Sequence, residues 1–148
     1  MKDRDWLAAA IDLSRRCPPS MSSYAVGAIV VGADGRELAR GYSGEFDPRD
    51  HAEESALAKL AGPVLDLSAT TLYTSLEPCS VRRSRLRTCT ELILLAGVGR
   101  VVFAMREPPL LADCEGAELL TGAGVEVIEL TDLAPVVRAI NRHLLDPV

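Results

Sequence analysis

His51, Glu53, Cys79 and Cys89 are the residues of this chain whose types and order could do chemistry together. One imidazole and two thiolates fill three tetrahedral positions on Zn2+ and leave the fourth open, as catalytic zinc sites do; structural sites fill all four. A carboxylate beside such a site can take a proton from water and pass it to a substrate nitrogen. Glu53 lies two residues from His51. Residues so spaced do not share a face in mid-helix, so the pair asks for a first helical turn aimed end-on at the metal. A helix N-terminus also lowers a thiol's pKa towards the metal-binding thiolate. Pro78 suits the first turn of a helix at Cys79. Cys17 and Cys114 are the spare thiols that could close the site; both read as core residues.

The elements that must position these groups follow from periodicity and turn signals. Trp6, Leu7, Ala10, Ile11 and Ser14 recur at helical spacing, giving an amphipathic helix over 6–15 that ends before Pro18 and Pro19. Trp6 reads as a core or subunit contact. Two β-rich runs flank Ala33-Asp34-Gly35 and predict a hairpin. "HAEESALAKLAG" predicts a helix from near His51 to Gly62 and Pro63. Then follow strand "TTLYTSL", helix "CTELILLAG", the wholly apolar strand "RVVFAM", helix "DCEGAELLTGAG" and strand "VEVIEL". A closing helix, "TDLAPVVRAINRHLL", capped by Thr131 or Asp132, turns Leu133, Val136, Val137, Ile140 and Leu144 inward. His143 on it reads as surface or packing. An antiparallel opening pair followed by strands alternating with helices predicts an α/β fold: a three-layer α/β/α sandwich on a five-stranded mixed sheet.

Composition bounds the role. The chain has 148 residues, 48% hydrophobic and 25% charged, which predicts one soluble domain over residues 1–148. A formal net charge of −5 disfavours nucleic acid as a partner. No stretch approaches the roughly 18 apolar residues of a membrane span. The opening "MKDRDWLAAAIDLSRRC" mixes acids and bases, unlike a secretion signal. A cytoplasmic location is expected, where thiols stay reduced and serve as ligands or core residues.

Against this acidic background, Arg82, Arg83, Arg85 and Arg87 crowd the nine residues between Cys79 and Cys89. With both ends of the segment anchored at the site, guanidinium groups there suit a substrate phosphate or another anion. The plainer reading is a solvated charged loop. Arg82 and Arg83, nearest the first thiol, are the candidates for substrate contact.

"HAE" at His51–Glu53, "PC" at Pro78-Cys79 and the later Cys89 resemble the zinc-dependent cytidine/deoxycytidylate deaminase superfamily. The likeness runs from "VGAIVV" through "RVVFAM" to the final helices. It implies the cytidine deaminase-like fold, zinc on His51, Cys79 and Cys89, and Glu53 as proton shuttle. It further implies that the Ala52 N–H and the Glu77 carbonyl contact the reacting base. The long cysteine spacing, "LEPCS", "AGVGRVVFAMREP" and "GAELLTGAGVEV" are similar to the pyrimidine deaminase domain of riboflavin biosynthesis. That domain's upstream Pro-Asn-Pro is here Ser23-Tyr24-Ala25, which makes Tyr24 a candidate pocket residue. "RGYSGEFDPRDHAE" resembles instead the base-deaminase and tRNA-adenosine-deaminase branch, with Ser43 where that branch has a base-contacting Asn.

The expected activity is hydrolytic removal, as ammonia, of an exocyclic amine from a pyrimidine-like or purine-like base, nucleoside or nucleotide. The partner is then a small aminated heterocycle, with a phosphate where the arginines are used. The resemblance also implies a homodimer or higher homo-oligomer. Two alternatives stand beside it: a deaminase editing a tRNA loop or single-stranded DNA, and a non-catalytic binding domain stapled by zinc.

Overall fold

The computed structural model describes residues 1–61, 65–108 and 114–145. Among these, five strands form one sheet: β1 (Gly27–Val31), β2 (Glu37–Tyr42), β3 (Thr71–Leu76), β4 (Arg100–Met105) and β5 (Glu126–Glu129), in spatial order β2-β1-β3-β4-β5. β1 runs antiparallel to β2 and β3, while β3, β4 and β5 are parallel. The helices are α1 (Asp3–Leu13), α2 (Ala52–Ala58), α3 (Cys89–Ala96), α4 (Gly116–Gly122), α5 (Ala134–Ile140) and α6 (Arg142–Leu145). The mixed sheet and the element order match the expectation.

Two glycines show how both faces are covered. A Cβ on Gly27 would lie 2.0 Å from the Ala10 carbonyl of α1, and one on Gly41 would lie 2.6 Å from the Ala52 carbonyl of α2. Gly41 pairs with Ala28, the neighbour of Gly27. Successive strand residues point to opposite faces, so α1 and α2 lie on opposite sides of the sheet. Only glycine permits helix backbones to approach that closely.

The register extends these faces across the sheet. Ala28, Thr74 and Phe103 align on the α2 side; Ile29, Tyr73 and Val102 align on the α1 side. On the α1 side, Trp6 stacks on Tyr73 with ring centroids 6.3 Å apart, the core role expected of it. Asp3 accepts bonds from the Tyr73 hydroxyl at 2.6 Å and from both terminal nitrogens of Arg100, clasping α1 to β3 and β4. Val101 to Ala104 of β4 are fully buried, as an apolar strand covered on both faces must be.

The closing helix differs from its expectation. It is a short 3₁₀ turn at Thr131–Leu133, then α5, then α6, and neither Thr131 nor Asp132 caps it through its side chain. Its break falls at Asn141. That buried amide accepts from the Ala25 N–H at 2.7 Å and donates to the Ala25 carbonyl at 3.1 Å. The helix end is drawn onto the loop before β1, where Tyr24 sits. Val136, expected inward, is 39% exposed, whereas Val137 is buried. α2 ends at Ala58; the expected stop at Gly62 and Pro63 and the start of "DCEGAELL" at Asp113 lie outside the described residues.

Candidate active site and metal centre

His51 is the N-cap of α2, in extended conformation, and Glu53 lies in that helix's first turn. The expected end-on geometry is therefore present. Cys89 opens α3, whose cap is a reciprocal Thr88–Glu91 pair: the Glu91 N–H donates to Thr88 Oγ1 at 3.1 Å, and the Thr88 hydroxyl donates to Glu91 Oε1 at 3.2 Å. Cys79 departs from expectation. No helix begins at Pro78; Cys79 lies on an irregular segment after β3. Its sulfur still meets a helix N-terminus, because the Cys89 N–H of α3 donates to Cys79 Sγ at 3.2 Å. The Pro78 carbonyl accepts from the Cys114 thiol at 3.2 Å, and Gly116 of α4 leaves no room there for a side chain. The segment is thus wedged between α3 and α4.

The three ligand atoms converge. His51 Nδ1 lies 3.5 Å from Cys79 Sγ and 3.3 Å from Cys89 Sγ, and all three atoms fall within 4.8 Å of one another. The donor set of one imidazole and two sulfurs fits zinc. Among the described residues no fourth His, Cys, Asp or Glu joins the cluster. Cys17 and Cys114 are free thiols, each bonded to a backbone carbonyl, and are half-buried rather than in the core as expected. Hydrogen bonds from Cys89, with help from His51, hold the Cys79 thiol well below its ordinary pKa. Cys89, bonded to that sulfur and wholly buried, is pushed the other way. Burial works to lower His51, but the Cys79 thiolate outweighs it and raises the imidazole's pKa.

The cluster opens into a cavity of about 950 Å³ lined by Tyr24, Ser43, Ala52, Glu53, Glu77, Arg82, Arg83 and Glu107, among others. Every sequence-predicted site residue apart from the wholly buried Cys89 borders this space. Glu53 is 4% exposed, and its Oε1 accepts from the Thr74 hydroxyl at 2.5 Å. Tyr24 is buried, and its hydroxyl has no partner among the described residues. Ser43 Oγ accepts from the Val26 N–H at 3.1 Å, which is turn chemistry. Glu77 braces the floor, accepting the Glu107 N–H at 3.2 Å on one oxygen and the Ala117 N–H at 3.0 Å on the other.

Residues 1–105 match the family described as the cytidine and deoxycytidylate deaminase zinc-binding region. The chain belongs to this family. It is 37% identical over 127 residues to the diaminohydroxyphosphoribosylamino-pyrimidine deaminase of Schizosaccharomyces pombe, covering 84% of this chain and 31% of that protein. It is similar to the diaminohydroxyphosphoribosylaminopyrimidine deaminase/5-amino-6-(5-phosphoribosylamino)uracil reductase of Thermotoga maritima, with a TM-score of 0.79 at 31% identity over 95% of this chain and 39% of that one. The dCMP deaminase of cyanophage S-TIM5, solved with dCMP and dUMP, gives a TM-score of 0.64 at 27% identity, covering 87% and 98% of the two chains. This deaminase-family chain therefore spans about a third of the length of the curated relatives it matches.

In this family member the arginine segment divides. The Arg82 side chain is 2% exposed, with Nη2 donating to Glu54 Oε1 and to the Arg49 carbonyl, both at 2.7 Å. Arg82 was expected to meet a substrate anion. It borders the cavity, but its charge is neutralised internally. Arg85 pairs with Asp50 at 3.0 Å and Arg87 reaches towards Glu91 at 3.9 Å. Arg83 is exposed on the cavity rim with no ion pair among the described residues. Sequence reasoning missed Thr74 and Glu107. Thr74 and Ser75 are adjacent fully buried hydroxyls in β3, and nothing in the sequence says which of the two faces Glu53. Glu107 follows β4 with no pattern to mark it; burial pushes its carboxyl up to about 7.

Proposed function

We propose that the chain is a zinc-dependent hydrolytic deaminase of an aminated pyrimidine bearing a phosphorylated appendage. The observation that supports it most is the convergence of His51 Nδ1, Cys79 Sγ and Cys89 Sγ beside the Glu53 carboxylate at the end of one cavity. His51, Cys79 and Cys89 would hold the zinc, which when bound lowers the pKa of water towards neutrality. Glu53 would take up two protons in turn, the first from the attacking water and the second from the hydroxyl left on the ring carbon. It would hand the first to the ring nitrogen and the second to the departing amine, so that a C–O bond replaces the C–N bond and ammonia leaves. Thr74 occupies Oε1 of Glu53, so the proton traffic falls to Oε2. Ala52 and Glu77 line the cavity, where the Ala52 N–H and the Glu77 carbonyl would hold the base edge, and Tyr24 offers its unpaired hydroxyl. Arg83 is the cation available to a phosphate. Both the yeast relative and the phage enzyme act, by their names, on phosphorylated pyrimidines.

A homodimer or higher homo-oligomer belongs to the same reading. Leu94 and Leu95 on α3 and Leu119 on α4 are exposed and offer an apolar face. The zinc-staple alternative is disfavoured by the lack of a fourth protein donor among the described residues. Polynucleotide editing is disfavoured because Arg82 and Arg85 are already paired with the largely buried carboxylates of Glu54 and Asp50. The test is an ammonia-release screen of aminated pyrimidines and purines as bases, nucleosides and nucleotides. Turnover of a phosphorylated pyrimidine above its unphosphorylated form is expected; turnover confined to purines or to oligonucleotides would overturn it.

A further inference from the structure

Three short segments carry the three metal-ligand candidates, and one guanidinium touches all three. Arg82 lies three residues after Cys79. Its Nη2 donates to Glu54 Oε1, three residues after His51, and to the Arg49 carbonyl, two residues before it. Its Nη1 donates to the Arg87 carbonyl at 3.3 Å, two residues before Cys89, and its Nε to Ser84 Oγ at 3.1 Å. Glu54 Oε1 in turn accepts the backbone N–H of His51 itself at 3.3 Å. A single carboxylate oxygen thus joins the imidazole-bearing residue to the guanidinium inside the inter-cysteine segment.

We propose that Arg82 is a positioning residue for the metal centre, clamping the His51, Cys79 and Cys89 segments into one constellation through Glu54, Arg49 and Arg87. Only arginine has a planar fork with donors enough for four acceptors at once; lysine offers a single point charge. The Arg82 side chain is almost wholly buried, so loss of the Glu54 carboxylate strands its charge away from water. The ten-residue reach from Cys79 to Cys89 gives a loop no regular structure of its own, and its closure costs conformational entropy. Clamping that loop before the ion arrives lowers the cost of binding. The acidic stretch Asp47–Glu54 and the arginine-rich insert then form one device, with Arg85 on Asp50 as its outer tie.

The inference rests on these three residues binding zinc, so the zinc content of the wild-type protein is measured first; a wild type that binds none overturns both. The decisive measurement is the rate at which zinc-loaded protein releases metal to a chromogenic chelator. Arg82→Ala, Arg82→Lys and Glu54→Gln should each release zinc about 10- to 100-fold faster than wild type. The Arg82→Ala/Glu54→Gln double variant should release it no faster than either single one. The visible spectrum of the cobalt-substituted protein should change in Arg82→Lys, reporting altered ligand geometry. Asp3→Asn, which loosens α1 on the far side of the sheet, should lower thermal stability yet release zinc at the wild-type rate. Wild-type release and an unchanged cobalt spectrum in Arg82→Lys would overturn the clamp, as would faster release in Asp3→Asn matching that of the Arg82 variants. Should Arg82→Ala fail to fold, Arg82→Lys and Glu54→Gln decide the matter.

Discussion

The Thr74 hydroxyl donates to Glu53 Oε1 at 2.5 Å, tying the first turn of α2 to the middle of β3 inside a fully buried contact. A carboxylate so held presents one oxygen to the cavity in a fixed orientation. Thr74→Val removes the bond while keeping the side-chain shape. Ammonia release should fall by about 10- to 100-fold, the weight of one hydrogen bond to a charged group, with zinc content unchanged. Steady-state kinetics beside metal analysis check it; an unaltered kcat would mean that the bond orients nothing.

Tyr24 carries a buried hydroxyl without a protein partner at the cavity wall. A buried polar group left unpaired is costly, so a substrate partner is the economical explanation. Tyr24→Phe should leave thermal stability equal or slightly higher while raising KM by about tenfold. A loss of stability with unchanged KM would make the hydroxyl purely structural.

Arg83 is the arginine of the insert that meets no carboxylate among the described residues. Arg83→Ala should weaken turnover of a phosphorylated pyrimidine by about tenfold or more and spare the unphosphorylated form. Equal effects on both substrates would show that Arg83 contacts no phosphate.

The Asp3 clasp predicts an acid limb of stability. Its hydrogen bonds with Arg100, then Tyr73, hold the Asp3 carboxyl at about 2, below the ordinary 3.8. A depressed carboxylate contributes stability that is fully present above the unfolded pKa and is lost as pH falls through the folded one. The partners are a quarter to a third exposed, so the contribution is about 0.5–1.5 kcal/mol. Thermal melts of wild type and Asp3→Asn should differ at pH 6 and converge between pH 4 and 2. Parallel curves down to pH 2 would remove Asp3 from the account.

The order of the elements and the grouping of His51, Cys79 and Cys89 were legible because both rest on strong local signals. Asp34-Gly35 marked the hairpin, "RVVFAM" marked a strand buried on both faces, and a histidine with two cysteines is a donor set few other roles require. What escaped depends on contacts between distant segments. Asn141 breaks the closing helix by bonding Ala25, 116 residues away in sequence. Cys79 acquires its helix N-terminus from α3, not from a helix of its own. Arg82 and Arg83 are adjacent and chemically identical, yet one is clamped inside by Glu54 and the other faces the cavity rim. Nothing in a run of arginines says which will find an internal carboxylate; the fold decides by bringing residues 49–54 against it.

The central claim is that Glu53 moves the protons of a deamination beside a zinc held by His51, Cys79 and Cys89. Glu53→Gln keeps the side-chain shape and an acceptor for Thr74 but cannot take up a proton. Zinc content and ammonia release should be measured together on this variant with the best pyrimidine substrate. About one zinc per chain with turnover reduced by at least about 100-fold is expected; a variant that keeps its zinc and still deaminates at the wild-type rate would contradict the account.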